Sequence, residues 1–413
     1  MAEGTRAPAF DVARVRADFP ILSREVNGRP LIYLDSAASA QKPRAVIDKL
    51  KWQAEHAYAN VHRGLHTLAN EATEAYEAAR ARVARFLNAG TPDEVVFTRS
   101  STEAINLVAA SYARLAIREG DEIIVSLLEH HSNIVPWHFL RERAGAVIKW
   151  APIRGDGAFD LDAFARLLGP RTKLVAITHM SNALGVITPV KEIVRLAHAA
   201  GAVVLVDGSQ GAVHLPVDVQ DLGCDFYVFT GHKLYGPTAI GALWSRRELL
   251  EAMPPYQGGG EMIETVSTER VIYAPVPHKF EAGTPPILEA IGLHAAIDYV
   301  DGLGRANTLA HEDTLLNLAT ERLSRLKSVT IHGTAQPKGA ILSFSVKGTH
   351  AHDIAALLDR QGIAARAGAH CAEPLMKRLG VTSTARASFA LYNTTEEVEA
   401  LGRALEKAIE ILS

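Results

Sequence analysis

The sequence predicts an α/β fold, with a large domain built on a mostly parallel sheet of about seven strands covered by helices, and a smaller α+β domain. Three observations carry this. Short, nearly all-apolar runs alternate with helical stretches, as strands buried on both faces do. Polar residues cluster just after those runs. Beyond about residue 300 the alternation gives way to longer helices and sparse short strands. A chain of 413 residues can bury two cores. The expected division is 1–28 as an N-terminal segment packing with the small domain, 29–294 as the large domain and 295–413 as the small one.

In chain order, residues 11–19 read as a short helix capped by Asp11 and stopped before Pro20. Leu31 to Asp35 reads as a strand, 44–57 as a helix, 60–66 as a polar loop and 70–87 as an Ala- and Glu-rich helix. Glu94 to Thr98 is a strand, and Ser100 with Glu103 forms a capping box opening a helix to about Ile117. Strands follow at 122–126, 173–178, 203–207 and 226–230. The run 239–244 comes too soon for a helical crossover and should be antiparallel to its predecessor. Residues 254–286 are irregular. Helices at 287–301, 305–326, 351–361 and from 395 onward, with strands near 340–346, 363–366 and 384–389, complete the chain.

Composition excludes several classes. Net charge is −3, so there is no electrostatic footprint for nucleic acid or an anionic membrane. No apolar run approaches a membrane span, and the first residues lack a signal-peptide pattern. Two cysteines, Cys224 and Cys371, do not make a disulfide scaffold and suggest a cytoplasmic or similarly reducing setting. The histidines show no zinc-type spacing with cysteine, so no metal site is expected.

Two strand ends point to chemistry. The run 226–230 leads through Gly231 and His232 to Lys233, and 203–207 ends in Asp207. A lysine on a loop is ordinarily a solvated charge, but an amine taken from water becomes a nucleophile. A lysine for an aldehyde with an acid for a ring nitrogen is the pyridoxal phosphate (PLP) arrangement. In open sheets, ligands sit beyond the carboxyl ends of the strands. Thr102, His130, Asn182, Asp207, Gln210, Thr230, His232 and Lys233 should therefore converge on one rim. Cys224 opens a core strand and reads as a small buried hydrophobe.

The stretches 230–237, 207–210 and 129–137 resemble the class V aminotransferase group of fold-type I PLP enzymes. The stretch 366–372, Arg-Ala-Gly-Ala-His-Cys-Ala, looks like the cysteine loop of group II (SUF-type) cysteine desulfurases and their selenocysteine-lyase relatives. The stretches 60–66 and 386–393 also match, and the likeness runs from about Val15 to Leu401. Ser100, Ser209 and Ala369 depart from the pattern, standing where glycine, alanine and a polar residue are usual.

The resemblance implies a PLP-dependent cysteine desulfurase that turns L-cysteine into L-alanine and leaves a persulfide on Cys371. A shuttle or scaffold protein would accept that sulfur, for iron–sulfur cluster assembly. The alternative is a selenocysteine lyase, acting on L-selenocysteine, or another PLP-dependent β-lyase. Lys233 would hold the cofactor and act as base. Asp207 would face the ring nitrogen, His130 would lie over the ring, and Gln210 and Asn182 would meet its polar substituents. Thr102, Thr230 and His232 would hold the phosphate, with Thr284 contributed by the partner in a homodimer. Arg386 would clamp the substrate carboxylate, helped by Asn182, Arg366, His62 and Arg63. Positive charge on Arg366 and His370 would favour the Cys371 thiolate. The reading requires Lys233 and Cys371 to face one cavity.

Overall fold

The computed structural model describes residues 10–412, so the start of the chain, including the segment read for a signal peptide, lies outside it. The large sheet comprises β1 (Val95–Thr98), β2 (Glu122–Ser126), β3 (Val147–Ala151), β4 (Thr172–Thr178), β5 (Val203–Asp207), β6 (Phe226–Thr230) and β7 (Gly241–Ser245). Its seven strands run in the order β1-β7-β6-β5-β4-β2-β3. β7 is antiparallel to β1 and β6, as its short connection requires, and the other pairings are parallel.

Alternate residues of each strand enter two different cores. In β5, Val204 and Val206 join one cluster and Leu205 the other; in β6, Tyr227 and Phe229 divide from Phe226 and Val228 in the same way. This is why the strands read as unbroken apolar runs. Gly241 is required at the start of β7, because a Cβ there would lie 2.8 Å from the Ser100 backbone and from Phe229 O.

One expectation about the sheet needs correction. Residues 32 and 33 do form a strand, but they pair in parallel with Ile363–Ala364, and Leu34 packs into the smaller core. An apolar run does not name the strand it will pair with. The seventh place belongs to β3, which the sequence reading missed. Among the described residues β3 pairs with β2 alone and stays partly exposed, and its Lys149 interrupts the apolar pattern to reach Glu122 at 2.7 Å.

A second, antiparallel sheet holds β8 (Val329–His332), β9 (Ile341–Val346), β10 (Arg366–Gly368) and β11 (Thr384–Ser388), in the order β8-β9-β11-β10. Helices Arg305–Ser324, Ala351–Asp359 and Thr395–Leu412 cover it through Leu315, Leu358 and Leu401. The helix at Val12–Ala17 is capped by Asp11 as expected, and Val15 and Phe19 pack with Tyr235, Val300 and Tyr392. Helix Glu373–Leu379 sends Leu375 and Met376 into the core of the large sheet. The loop before it, 369–372, therefore sits where the two bodies meet. Among the described residues, no helix is long and apolar enough to cross a membrane.

Candidate active site

The carboxyl ends of β1, β2, β4, β5 and β6 open onto one cavity. Thr102, His130, Asn182, Asp207, Gln210, Thr230, His232, Lys233, Arg366, Cys371 and Arg386 all line it. Lys233 and Cys371 thus share a cavity, though 138 positions separate them in the sequence. Thr284 does not reach it; it lies in a separate cleft with Glu103 and Tyr256. His62 and Arg63 line a third cleft. There His62 Nε2 lies 2.9 Å from Glu77 and Arg63 donates to Ile263 O at 3.3 Å. Within one chain these three residues stand apart from the others.

Lys233 ends the 3-10 turn that closes β6. Its side chain opens to the cavity, but protein surrounds the amine and burial lowers it to about 8, against the raising effect of Asp207. Such an amine is about one-tenth neutral at pH 7, far more than an exposed lysine. Asp207 ends β5 and is buried; its Oδ1 accepts from Ser209 N at 2.9 Å and from Ser209 Oγ at 2.6 Å.

His130 follows β2. Burial, then Lys233, lowers it to about 4, so it is a neutral imidazole at physiological pH. Its Nδ1 accepts from Ser132 N at 3.1 Å, which leaves the ring proton on Nε2. Behind it, fully buried Glu129 accepts from Asn133 Nδ2 at 2.7 Å and Thr178 N at 3.0 Å, tying the turn to β4. Burial pushes the Glu129 carboxyl up to about 8.

Helix Ser101–Val108 presents its N-terminus to the cavity. Ser100 caps it by accepting from Glu103 N, but Glu103 accepts from Arg99 N rather than from the N–H of the cap residue, so only half of the expected capping box forms. Thr102 Oγ1 lies 2.7 Å from Ser132 Oγ. Thr230 Oγ1 and Gln210 Oε1 are buried polar atoms with no partner among the described residues, while Gln210 Nε2 donates to Ala37 O at 2.8 Å.

Arg386, on β11, is buried. Its Nη1 donates to Asn182 O at 2.7 Å and its Nη2 to Asp35 Oδ1 at 3.0 Å; Nε has no partner among the described residues. Arg366 reaches the other Asp35 oxygen at 3.1 Å. Two guanidinium groups and one carboxylate leave this wall of the cavity positive. Sequence reasoning assigned Asp35 no role, because its segment gave no sign of meeting β11.

The cysteine loop is held from the large-domain side. Asn182 Nδ2 donates to His370 O at 2.8 Å and His131 N donates to Cys371 O at 2.9 Å. Asn182 thus gives one of its two amide hydrogens to the loop while lining the cavity. His370 and Cys371 each have φ of 54°, a left-handed conformation costly for side-chain-bearing residues. These two hydrogen bonds help to hold it. His370 does not supply the positive charge expected of it, since burial lowers it to about 3 and keeps it neutral. Arg366, on β10 just before this loop, remains as a cation beside it. Cys371 is exposed, whereas Cys224 is buried and its thiol is pushed up, as expected for a core cysteine.

The family described as aminotransferase class-V matches residues 32–401. A cysteine desulfurase of Klebsiella pneumoniae is 53% identical over 404 residues, covering 98% of this chain and 99% of that protein. One from Pectobacterium atrosepticum is 50% identical over 405 residues with the same coverage. The crystal structure of the cysteine desulfurase CsdA from Escherichia coli superposes with a TM-score of 0.91 at 43% identity, covering 98% of this chain and all of the other.

Proposed function

We propose, for a chain that belongs to the aminotransferase class-V family and is a cysteine desulfurase, that L-cysteine leaves as L-alanine while its sulfur is held on Cys371 and passed to an acceptor protein. The observation that carries the reading is the shared cavity of Lys233, Asp207, Arg386 and Cys371. It brings an amine, an acid, a carboxylate clamp and a thiol to one small volume.

The residues fit PLP. Gln210 Oε1 and Thr230 Oγ1 are buried polar atoms still lacking partners, and both belong to residues lining the cavity. The amine of Lys233 would hold the aldehyde, Asp207 the ring nitrogen, and Gln210 the ring hydroxyl. Thr102, Thr230, His232 and the helix N-terminus at Ser101 would hold the phosphate. Thr284 would come from the partner of a homodimer. When bound, PLP supplies an electron sink for charge that develops at the substrate Cα.

Arg386 orients the substrate through its carboxylate, for which the unpartnered Nε–H is available. Lys233, lowered to about 8, can take the Cα proton and return one to the product. His130, neutral with its proton on Nε2, can donate or relay a proton above the site. The Cys371 thiolate attacks the substrate sulfur. The new S–S bond forms as the S–Cβ bond breaks, and the three-carbon fragment gains a proton and leaves as alanine. Exposure of Cys371 leaves the persulfide open to an acceptor. Delivery of that sulfur to iron–sulfur cluster assembly belongs to the same proposal.

The test is alanine release from L-cysteine by the PLP-loaded protein, with sulfur transfer to a thiol acceptor. Absence of alanine would sink the reading. The clamp has its own test. Arg386→Lys keeps the charge but loses the planar fork, so KM for L-cysteine is expected to rise on the order of tenfold or more. An unchanged KM would move the carboxylate to another cation, Arg366 first.

A further inference from the structure

We propose that Ser209 is a positioning residue for the Asp207 carboxylate and, through it, for the ring nitrogen of the bound cofactor; the inference rests on the cofactor reading above. The Ser209 hydroxyl lies 2.6 Å from Asp207 Oδ1 and 2.9 Å from Ser101 Oγ. A hydroxyl has one proton and a carboxylate only accepts. The Ser209 proton is therefore placed on Asp207, the shorter of the two contacts, and the Ser101 hydroxyl is its neighbour on the other side. The result is a hydrogen-bonded chain through Ser101, Ser209 and Asp207, with all three residues buried.

The chain fixes an orientation. Ser209 N also donates to Asp207 Oδ1 at 2.9 Å, so one residue places two donors on one oxygen. None of the described hydrogen bonds reaches Oδ2. The terminal torsion of an aspartate is broad. Pinning Oδ1 twice determines where Oδ2 points, and Oδ2 is the oxygen left for a cationic ring nitrogen. The same chain ties the end of β5 to the first turn of helix Ser101–Val108. The seats for the ring nitrogen and for the phosphate thus belong to one hydrogen-bonded unit. Alanine at 209 would keep the backbone donor and lose both hydroxyl contacts.

The experiment compares wild type with Ser209→Ala. It measures equilibrium PLP binding to the apoproteins, the pH titration of the bound cofactor's absorbance, and thermal unfolding of the apoproteins. The dissociation constant is expected to rise about tenfold, the size of one hydrogen bond to a charged group. The absorbance should titrate at a different pH, and the apoproteins should unfold together. An equal dissociation constant with an equal titration overturns the proposal, whether or not the apoprotein is destabilised. If the PLP difference is seen but wild type releases no alanine from L-cysteine, the desulfurase reading fails and the role of Ser209 stands. If wild type turns over and the two proteins bind PLP identically, Ser209 fails alone.

Discussion

Replacing Cys371 with alanine is expected to lower alanine release from L-cysteine by at least on the order of a thousandfold, within the roughly 10⁶-fold that removing an enzyme's nucleophile can cost. The reason is local. Cys371 is an exposed thiol at a cavity wall, on a backbone held left-handed by Asn182 and His131. In the proposed reaction the substrate sulfur leaves Cβ only as it bonds to this thiolate. PLP binding should be unaffected, because no proposed cofactor contact uses the Cys371 side chain. Activity on L-selenocysteine should fall much less, since selenium leaves without an enzyme thiol more readily than sulfur. Steady-state alanine assays on both substrates check this. Full activity of the variant on L-cysteine would remove Cys371 from the role given to it.

The second large effect is at Lys233. Lys233→Ala should lose covalently held PLP and reduce turnover by roughly 10³- to 10⁴-fold, within the range for removing a positioned acid–base group. A companion measurement reads the amine itself. Burial lowers it to about 8, so its neutral, nucleophilic form increases as pH rises through that value. The rate at which the apoprotein captures an aldehyde and is trapped by borohydride should climb through about pH 8 and then level. Asp207 raises the amine, so Asp207→Asn should move this midpoint to lower pH. A midpoint in the ordinary lysine range would mean that the amine is exposed to water.

Much of this site was legible before any coordinates. The apolar runs marked strands buried on both faces, and ligands gather at the carboxyl ends of such strands. That logic placed Asp207, Lys233 and His130 on one rim. It failed where a contact has no local signature. Asp35 meets Arg386 across 351 positions of sequence, through a segment that pairs with the smaller body rather than the large sheet. Asn182 was legible as a strand-end residue, but its grip on the His370 carbonyl was not. The charge state of His370 depends on burial, and a motif letter carries no burial. The edge strand β3 was lost because Lys149 and partial exposure blurred its pattern. Ser209 was visible as a departure from the family pattern, but its hydrogen bond to Asp207 was not.

The central claim is that the substrate's sulfur atom moves to one thiol of this chain. Mass analysis of the PLP-loaded protein after a single turnover of L-cysteine, without acceptor or reductant, tests it most directly. The account predicts that the peptide bearing Cys371 gains one sulfur atom for each alanine released, while the Cys224 peptide gains none. Alanine formed in equal amount with no sulfur on Cys371 would contradict it.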